Sequence, residues 1–83
     1  MEKNYKISKK DCLERLYKIA DSLRSLRKEN NLTQKDVANI LGIRYQSYQA
    51  YERGISYPTL ENFIKLSVLF RVSLDYLVGK DIY

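Results

Sequence analysis

Apolar residues recur along most of this chain at helical spacing, and nowhere do they keep the two-residue alternation of a half-buried strand. Cys12, Leu16, Ile19, Leu23 and Leu26 follow one another at intervals of four, three, four and three, which predicts one apolar stripe on a long helix over residues 11–30. Asn30 and Asn31 interrupt that helix. Thr33 is then a natural N-cap, and Asp36 places negative charge in the first turn of a short helix whose inner face is Val37, Ala38 and Leu41. Gly42 sits where that helix must stop in a left-handed conformation, and a second short helix follows over residues 45–53. Pro58 opens a break. Thr59 can cap a helix expected to turn Leu60, Phe63, Ile64, Leu66 and Phe70 inward and to end near Arg71. Ser73 caps a last one with Leu74, Leu77 and Val78, stopped by Gly79. The expected fold is all-α: a compact set of five helices with an extended first helix.

Composition narrows the possibilities. With 83 residues, 45% of them hydrophobic, the chain has material for one domain with a small core. Residues 11–79 are expected to form it, with a basic tail over 1–10 and a short tail over 80–83. The single Cys12 excludes a disulfide within one chain and suits a reducing compartment. No apolar run reaches the roughly 20 residues of a membrane span, and residues 1–10 are too polar for a signal peptide, so a soluble cytoplasmic protein without a membrane partner is expected. The formal charge of +5 suits an anionic partner, although many soluble domains carry as much. Catalysis finds no constellation: there is no His, one Cys cannot build a zinc site, and the three glycines are scattered at helix ends. The expectation is therefore no enzyme, no catalytic residue, no metal and no cofactor. Two stretches stay open. The four lysines of residues 1–10 read either as a solvated tail or as an arm touching DNA, and the Cys12–Ile19 end of the first stripe either packs on the core or faces a partner protein.

Residues 32–54, LTQKDVANILGIRYQSYQAYERG, are two short helices with a glycine between them, a helix-turn-helix unit with its motif at 33–53. Around it stand LRSLRKENNLTQ on one side and PTLENFIKLSVLFRVSLDYLVG on the other. LTQ and YERG at this separation, with the PTL and SLDYL segments in register behind them, are far more specific than two helices and a turn. Residues 23–79 resemble the Cro/lambda-repressor-type (XRE-like) helix-turn-helix regulators of bacteria and phages.

That resemblance implies that residues 45–53 form a recognition helix lying in the major groove of double-stranded DNA. If Tyr48, Tyr51 and Glu52 point inward, a wheel of 100° per residue sets Gln46, Gln49, Ala50 and Arg53 on the opposite side, flanked by Tyr45 and Ser47. Gln46 suits the adenine edge because an amide donates and accepts together. Ala50 can meet a thymine methyl. Gln34 matches a family glutamine that bonds a phosphate and braces the recognition helix, while Arg53, Lys35, Arg44, Ser56 and Tyr57 are candidates for flanking phosphates. Arg27 and Glu52 match positions that form an ion pair tying the first helix to the recognition helix.

The chain also departs from the family pattern. Tyr48 stands where an aliphatic residue is usual, so its hydroxyl is expected to find a partner or to emerge at the edge of the core. Arg44 replaces the usual Ser or Thr cap, and Arg71 takes a common glycine position. Val68, in a usually polar place, is expected to form an exposed apolar patch with Leu74, Ile82 and Tyr83, the candidate dimer surface. The function implied is sequence-specific DNA binding by a transcriptional regulator, a repressor acting as a homodimer on a palindromic operator and carrying no separate effector domain. The alternative is a protein-interaction module, such as an antitoxin or a partner-masking regulator.

Overall fold

The computed structural model describes residues 6–79; the candidate dimer residues Ile82 and Tyr83 lie outside them. Five helices follow in order, α1 (Lys9–Glu29), α2 (Gln34–Leu41), α3 (Tyr45–Glu52), α4 (Leu60–Phe70) and α5 (Leu74–Leu77), with no strand among the described residues.

Hydroxyl side chains start four of the helices by accepting a first-turn N–H. Ser8, Thr33, Thr59 and Ser73 bond the amides of Asp11, Asp36, Asn62 and Tyr76. At Thr33 the bond is reciprocal, since the Asp36 carboxylate accepts from the Thr33 N–H at 2.8 Å, and these bonds hold the Asp36 carboxyl below its ordinary pKa. The exception is α3, where Arg44 caps with backbone geometry alone. Ser8 starts α1 at Lys9, two residues before the expected Asp11, so the end of the basic segment belongs to the helix. Gly42 ends α2 at φ +73°, where an L side chain is disfavoured. Arg71 ends α4 in the same left-handed region at φ +56°, with no such exemption.

The core lies where α2 and α3 pack on each other and α1 packs on α3, with α5 against α1 and α4 against α2 and α5. Leu23, Val37, Tyr48, Leu66 and Leu77 are fully buried, one or more from each helix, and Ile19, Leu26, Leu41, Tyr51 and Phe70 complete the cluster. Burying a side chain of this size contributes about 1.5–3 kcal/mol. Tyr48 and Tyr51 meet edge to face with ring centroids 6.2 Å apart. Beside them the Asn62 amide donates to the Tyr51 hydroxyl at 3.0 Å, which explains a buried asparagine in α4.

Several side chains lie elsewhere than periodicity alone suggests. Leu16 and Ile19 are core residues, whereas Cys12 is exposed: the core ends one turn short of it. Leu60 and Ile64 face outward at 70% and 45% exposure, because α4 turns its Asn62, Leu66 and Phe70 side to the core. Leu74 is also exposed, leaving Leu77 to anchor α5. Tyr48 is fully buried, yet its hydroxyl neither finds a hydrogen bond nor reaches the edge.

The long α1 positions everything else. Its C-terminal half packs on α3, and towards its N-terminus Arg15 donates to the carbonyl of Val78 at 3.2 Å, tying it to the end of α5. Gly54, at φ +69°, lets the chain turn against α1 where a Cβ would come 3.2 Å from the Tyr17 ring.

Candidate nucleic-acid interface

One buried ion pair ties α1 to α3. Glu52, on the last turn of α3, has a side chain only 1% exposed, and Arg27, in the last turn of α1, meets it with 14% of its own exposed. Arg27 donates from Nε to Oε2 at 2.6 Å and from Nη2 to Oε1 at 3.0 Å, a two-pronged match of guanidinium to carboxylate. Its remaining Nη1 donates to the Leu32 carbonyl at 3.0 Å, so one side chain joins α1, the turn before α2, and α3. Arg24 adds a donor to the backbone carbonyl of Glu52. Burial alone raises the Glu52 carboxyl, but the bonds from Arg27 and Gln34 and the guanidinium charge outweigh it and hold the group below its ordinary pKa. The bond to Glu52 likewise raises Arg27. Burial first, and then the nearby carboxylate, push the Tyr48 phenol up: it feels the pair without standing in hydrogen-bond geometry to it.

A polar chain runs outward from this pair. Gln34, the first residue of α2, donates from Nε2 to Glu52 Oε1 at 3.1 Å, the Tyr45 hydroxyl donates to Gln34 Oε1 at 3.4 Å, and Gln49 Nε2 donates to the Tyr45 hydroxyl at 3.0 Å. Lys35 places its ammonium 5.5 Å from the centre of the Tyr45 ring, a cation–π contact. Three side chains that read from sequence as separate candidates are thus bonded to one another.

Outside this chain the face opens into two shallow concavities. One, about 380 Å³, is lined by Arg27, Leu32, Thr33, Gln34, Lys35 and Tyr45 at the start of α2, where free backbone N–H groups and the helix dipole favour an anion. The other, about 590 Å³, is lined by Arg44, Gln46, Ser47, Ala50, Tyr51, Ser56, Tyr57 and Thr59. Gln46 and Arg44 are exposed along the second, with Ser47 and Ala50 half-buried beneath them. Arg53 lines neither and stands exposed as the residue capping α3. Tyr57 differs from expectation in one respect, since its hydroxyl donates to the Cys12 carbonyl of α1 at 3.0 Å. Thr59, expected only as the cap of α4, also lines this concavity. Its place directly after Ser56, Tyr57 and Pro58 and before α4 puts it on the same edge.

The geometry of two short crossed helices, with the second presenting an outward polar face, is matched at the level of sequence by a helix-turn-helix profile over residues 23–77. The chain belongs to the XRE-like helix-turn-helix family of phage and bacterial transcriptional regulators. This helix-turn-helix domain is 40% identical over 63 residues to the cryptic phage CTXphi transcriptional repressor RstR of Vibrio cholerae serotype O1, covering 76% of the chain and 56% of that protein. It is 41% identical over 59 residues to the HTH-type transcriptional regulator ImmR of Bacillus subtilis, covering 71% of the chain and 46% of that protein. The chain spans about half the length of the curated relatives it matches. Its fold is similar to the crystal structure of the restriction-modification controller protein C.AhdI from Aeromonas hydrophila, with a TM-score of 0.68 and 29% identity over 75% of this chain and 94% of that one.

Val68 and Leu74 flank the α4–α5 turn of the domain, 72% and 39% exposed. Val68 also closes an outward apolar row on α4 with Leu60 and Ile64, four residues apart at each step. No helix among the described residues is long and apolar enough to cross a membrane.

Proposed function

We propose that this chain is a sequence-specific double-stranded DNA-binding protein that lays α3 in the major groove and represses transcription by covering promoter DNA. The observation that carries the reading is the outward face of α3. Its inner side is fixed by the Arg27–Glu52 pair, while Gln46, Ser47, Gln49 and Ala50 are turned to one side beside concavities carrying Lys35 and Arg44. Gln46 is the exposed amide best suited to an adenine edge, with Ala50 below it for a thymine methyl. The backbone N–H of Gln34 and the side chains of Lys35, Arg44, Arg53 and Ser56 hold the flanking phosphates, which fixes register without reading sequence. The chain's net charge of +5 draws it to DNA. In this reading the protein works in the cytoplasm and has no catalytic activity.

One domain of this size covers about one half-site, and two copies whose recognition helices sit about 34 Å apart would read a palindrome. The exposed Val68 and Leu74 are the dimer surface of this reading. An interaction module would use the stripe from Cys12 to Ile19 or the C-terminal patch; the burial of Leu16 and Ile19 takes away most of the first surface, while Val68 and Leu74 of the second are exposed.

Selecting bound sequences from a random DNA pool tests both parts. A palindromic consensus is expected. Gln46→Ala should weaken the selected site by about 1–3 kcal/mol and relax one base pair per half-site. Val68→Asp should abolish cooperative binding and spare half-site binding, because the contact would bury an unpaired charge. A pool that gains no enriched sequence overturns the reading. A consensus without dyad symmetry overturns the dimer alone.

A further inference from the structure

The hydrogen-bond chain from Glu52 to Gln49 has a direction, and that direction reaches the reading face. A carboxylate only accepts, so Gln34 must turn its amide nitrogen to Glu52 Oε1 at 3.1 Å and its carbonyl oxygen outward. That oxygen only accepts as well. The Tyr45 hydroxyl therefore points its single proton at Gln34 Oε1 across a long contact of 3.4 Å and keeps lone pairs for a donor. Gln49 supplies the donor: its Nε2 reaches the hydroxyl at 3.0 Å, one helical turn further on. Each amide that would otherwise be free to rotate by 180° is thus oriented by the buried charge behind it. Lys35, 5.5 Å over the Tyr45 ring, and the half-buried position of that ring keep the hydroxyl on the line between the two glutamines.

Resting on the DNA-binding reading above, we propose that Tyr45 is a positioning residue that fixes the Gln49 amide with its nitrogen towards Tyr45 and its carbonyl oxygen towards the groove, so that Gln49 selects a base bearing an exocyclic amine. In the major groove adenine offers N6 and cytosine N4 as donors at that level, whereas guanine O6 and thymine O4 are acceptors that would oppose the carbonyl. The domain then discriminates amino from keto bases at one position, separate from the one read by Gln46. A freely rotating glutamine would not discriminate in this way, because it can present its NH2 group to a keto oxygen as readily as its carbonyl to an amine.

The test is the base-preference profile of the full chain, obtained by selection from a random DNA pool, for the wild type, Gln49→Ala, Tyr45→Phe and the double variant Tyr45→Phe/Gln49→Glu. Wild type should show a position where A and C are favoured over G and T on the order of tenfold. Gln49→Ala should erase that preference. Tyr45→Phe keeps the ring and its contact with Lys35 but removes the hydroxyl; it should erase the preference at the same position only, with the Gln46 position and the unfolding midpoint unchanged. In the double variant a carboxylate, which presents only acceptors whichever way it turns, should restore the amino-base preference without the hydroxyl. A purely structural role for Tyr45 would not be rescued at that position. If Tyr45→Phe leaves the profile intact, or flattens all positions together, the proposal is wrong. A consensus in which no position answers to Gln49→Ala also overturns it while leaving DNA binding standing, and failure of the wild type to select any consensus overturns the DNA-binding reading itself.

Discussion

Removing the Glu52 carboxylate should cost this domain a large part of its stability, and removing its partner as well should return most of it. With a side chain only 1% exposed, the carboxylate accepts three bonds, two from Arg27 and one from Gln34. Glu52→Leu strands a guanidinium that is only 14% exposed, together with the Gln34 amide. Breaking one side of a buried pair costs about 3–5 kcal/mol, and the lower end applies here because Arg27 keeps some access to water. A domain of this length has about 4–12 kcal/mol in all, so the variant should be close to marginal. Arg27→Met/Glu52→Leu, apolar on both sides, should be far more stable than either single change, giving a coupling of about 2–3 kcal/mol in a double-mutant cycle. Urea unfolding followed by circular dichroism at neutral pH measures each corner. The pH dependence gives a second reading. Because the folded-state pKa of Glu52 is lowered, its contribution is fully present above the unfolded carboxylate value of about 4.3 and is lost as pH falls through the folded value. Asp36 is lowered too, with the same sign, but it is common to all four proteins, so the wild type should lose more stability on acidification than the apolar double variant does. A coupling below about 0.5 kcal/mol, with parallel pH profiles, would refute the view that this pair aims α3.

Arg53→Ala should weaken binding to every DNA sequence alike and make the salt slope of log K shallower by about one, and titrations at several salt concentrations that show an unchanged slope would remove it from the phosphate contacts. Tyr48→Phe deletes a buried hydroxyl with no hydrogen bond and should leave stability unchanged or raise it by up to about 1 kcal/mol; a loss of that size would mean that the hydroxyl serves the Glu52 carboxylate. Arg71→Gly relieves a left-handed C-cap at φ +56° and, after the entropy a glycine adds to the unfolded chain, should stabilise by about 0.5 kcal/mol, seen as a midpoint some 2–4 °C higher. A lower midpoint would show that the Arg71 side chain contributes more than its backbone costs.

What could be read from sequence follows how local the physics is. Thr33, Thr59 and Ser73 announce their helices because a cap bonds an amide three residues away, and Gly42 announces its turn because the conformation is its own. Ser8 carried the same signal, three residues before Asp11, but stood among lysines that read as tail. Periodicity failed on α4 for a different reason. Phe63, Leu66 and Phe70 make one apolar row and Leu60, Ile64 and Val68 make another, and spacing alone does not say which faces the core. The choice is made by tertiary partners, including the Tyr51 hydroxyl that draws Asn62 inward. Cys12 continued the spacing of α1 past the end of the core, since a helix keeps its period whether or not anything packs against it. The Arg27–Glu52 pair, 25 residues apart, was reachable only through resemblance.

The resemblance implies only that Gln34 braces the recognition helix; that the brace runs on through Tyr45 to Gln49 is not legible in the sequence, and the reason bears on how so small a domain achieves an ordered reading face. Each of the three, taken singly, is a polar residue suited to DNA, and nothing in their spacing says that they bond one another first. Immobilising a long side chain at an interface costs about 0.5–1.5 kcal/mol each, a cost met at the moment of binding if the side chains are free and during folding if they are already held. Here α3 has only eight residues, a side-chain cap is missing at Arg44, and the half-buried tyrosine at its start is anchored through Gln34 to the buried carboxylate at its end. The ion pair thus orients the helix and, through the glutamine and tyrosine, the groups on its outer surface. Direction is available only because Glu52 is charged: a neutral amide in its place could accept or donate, and the orientation of every bond outward from it would become ambiguous.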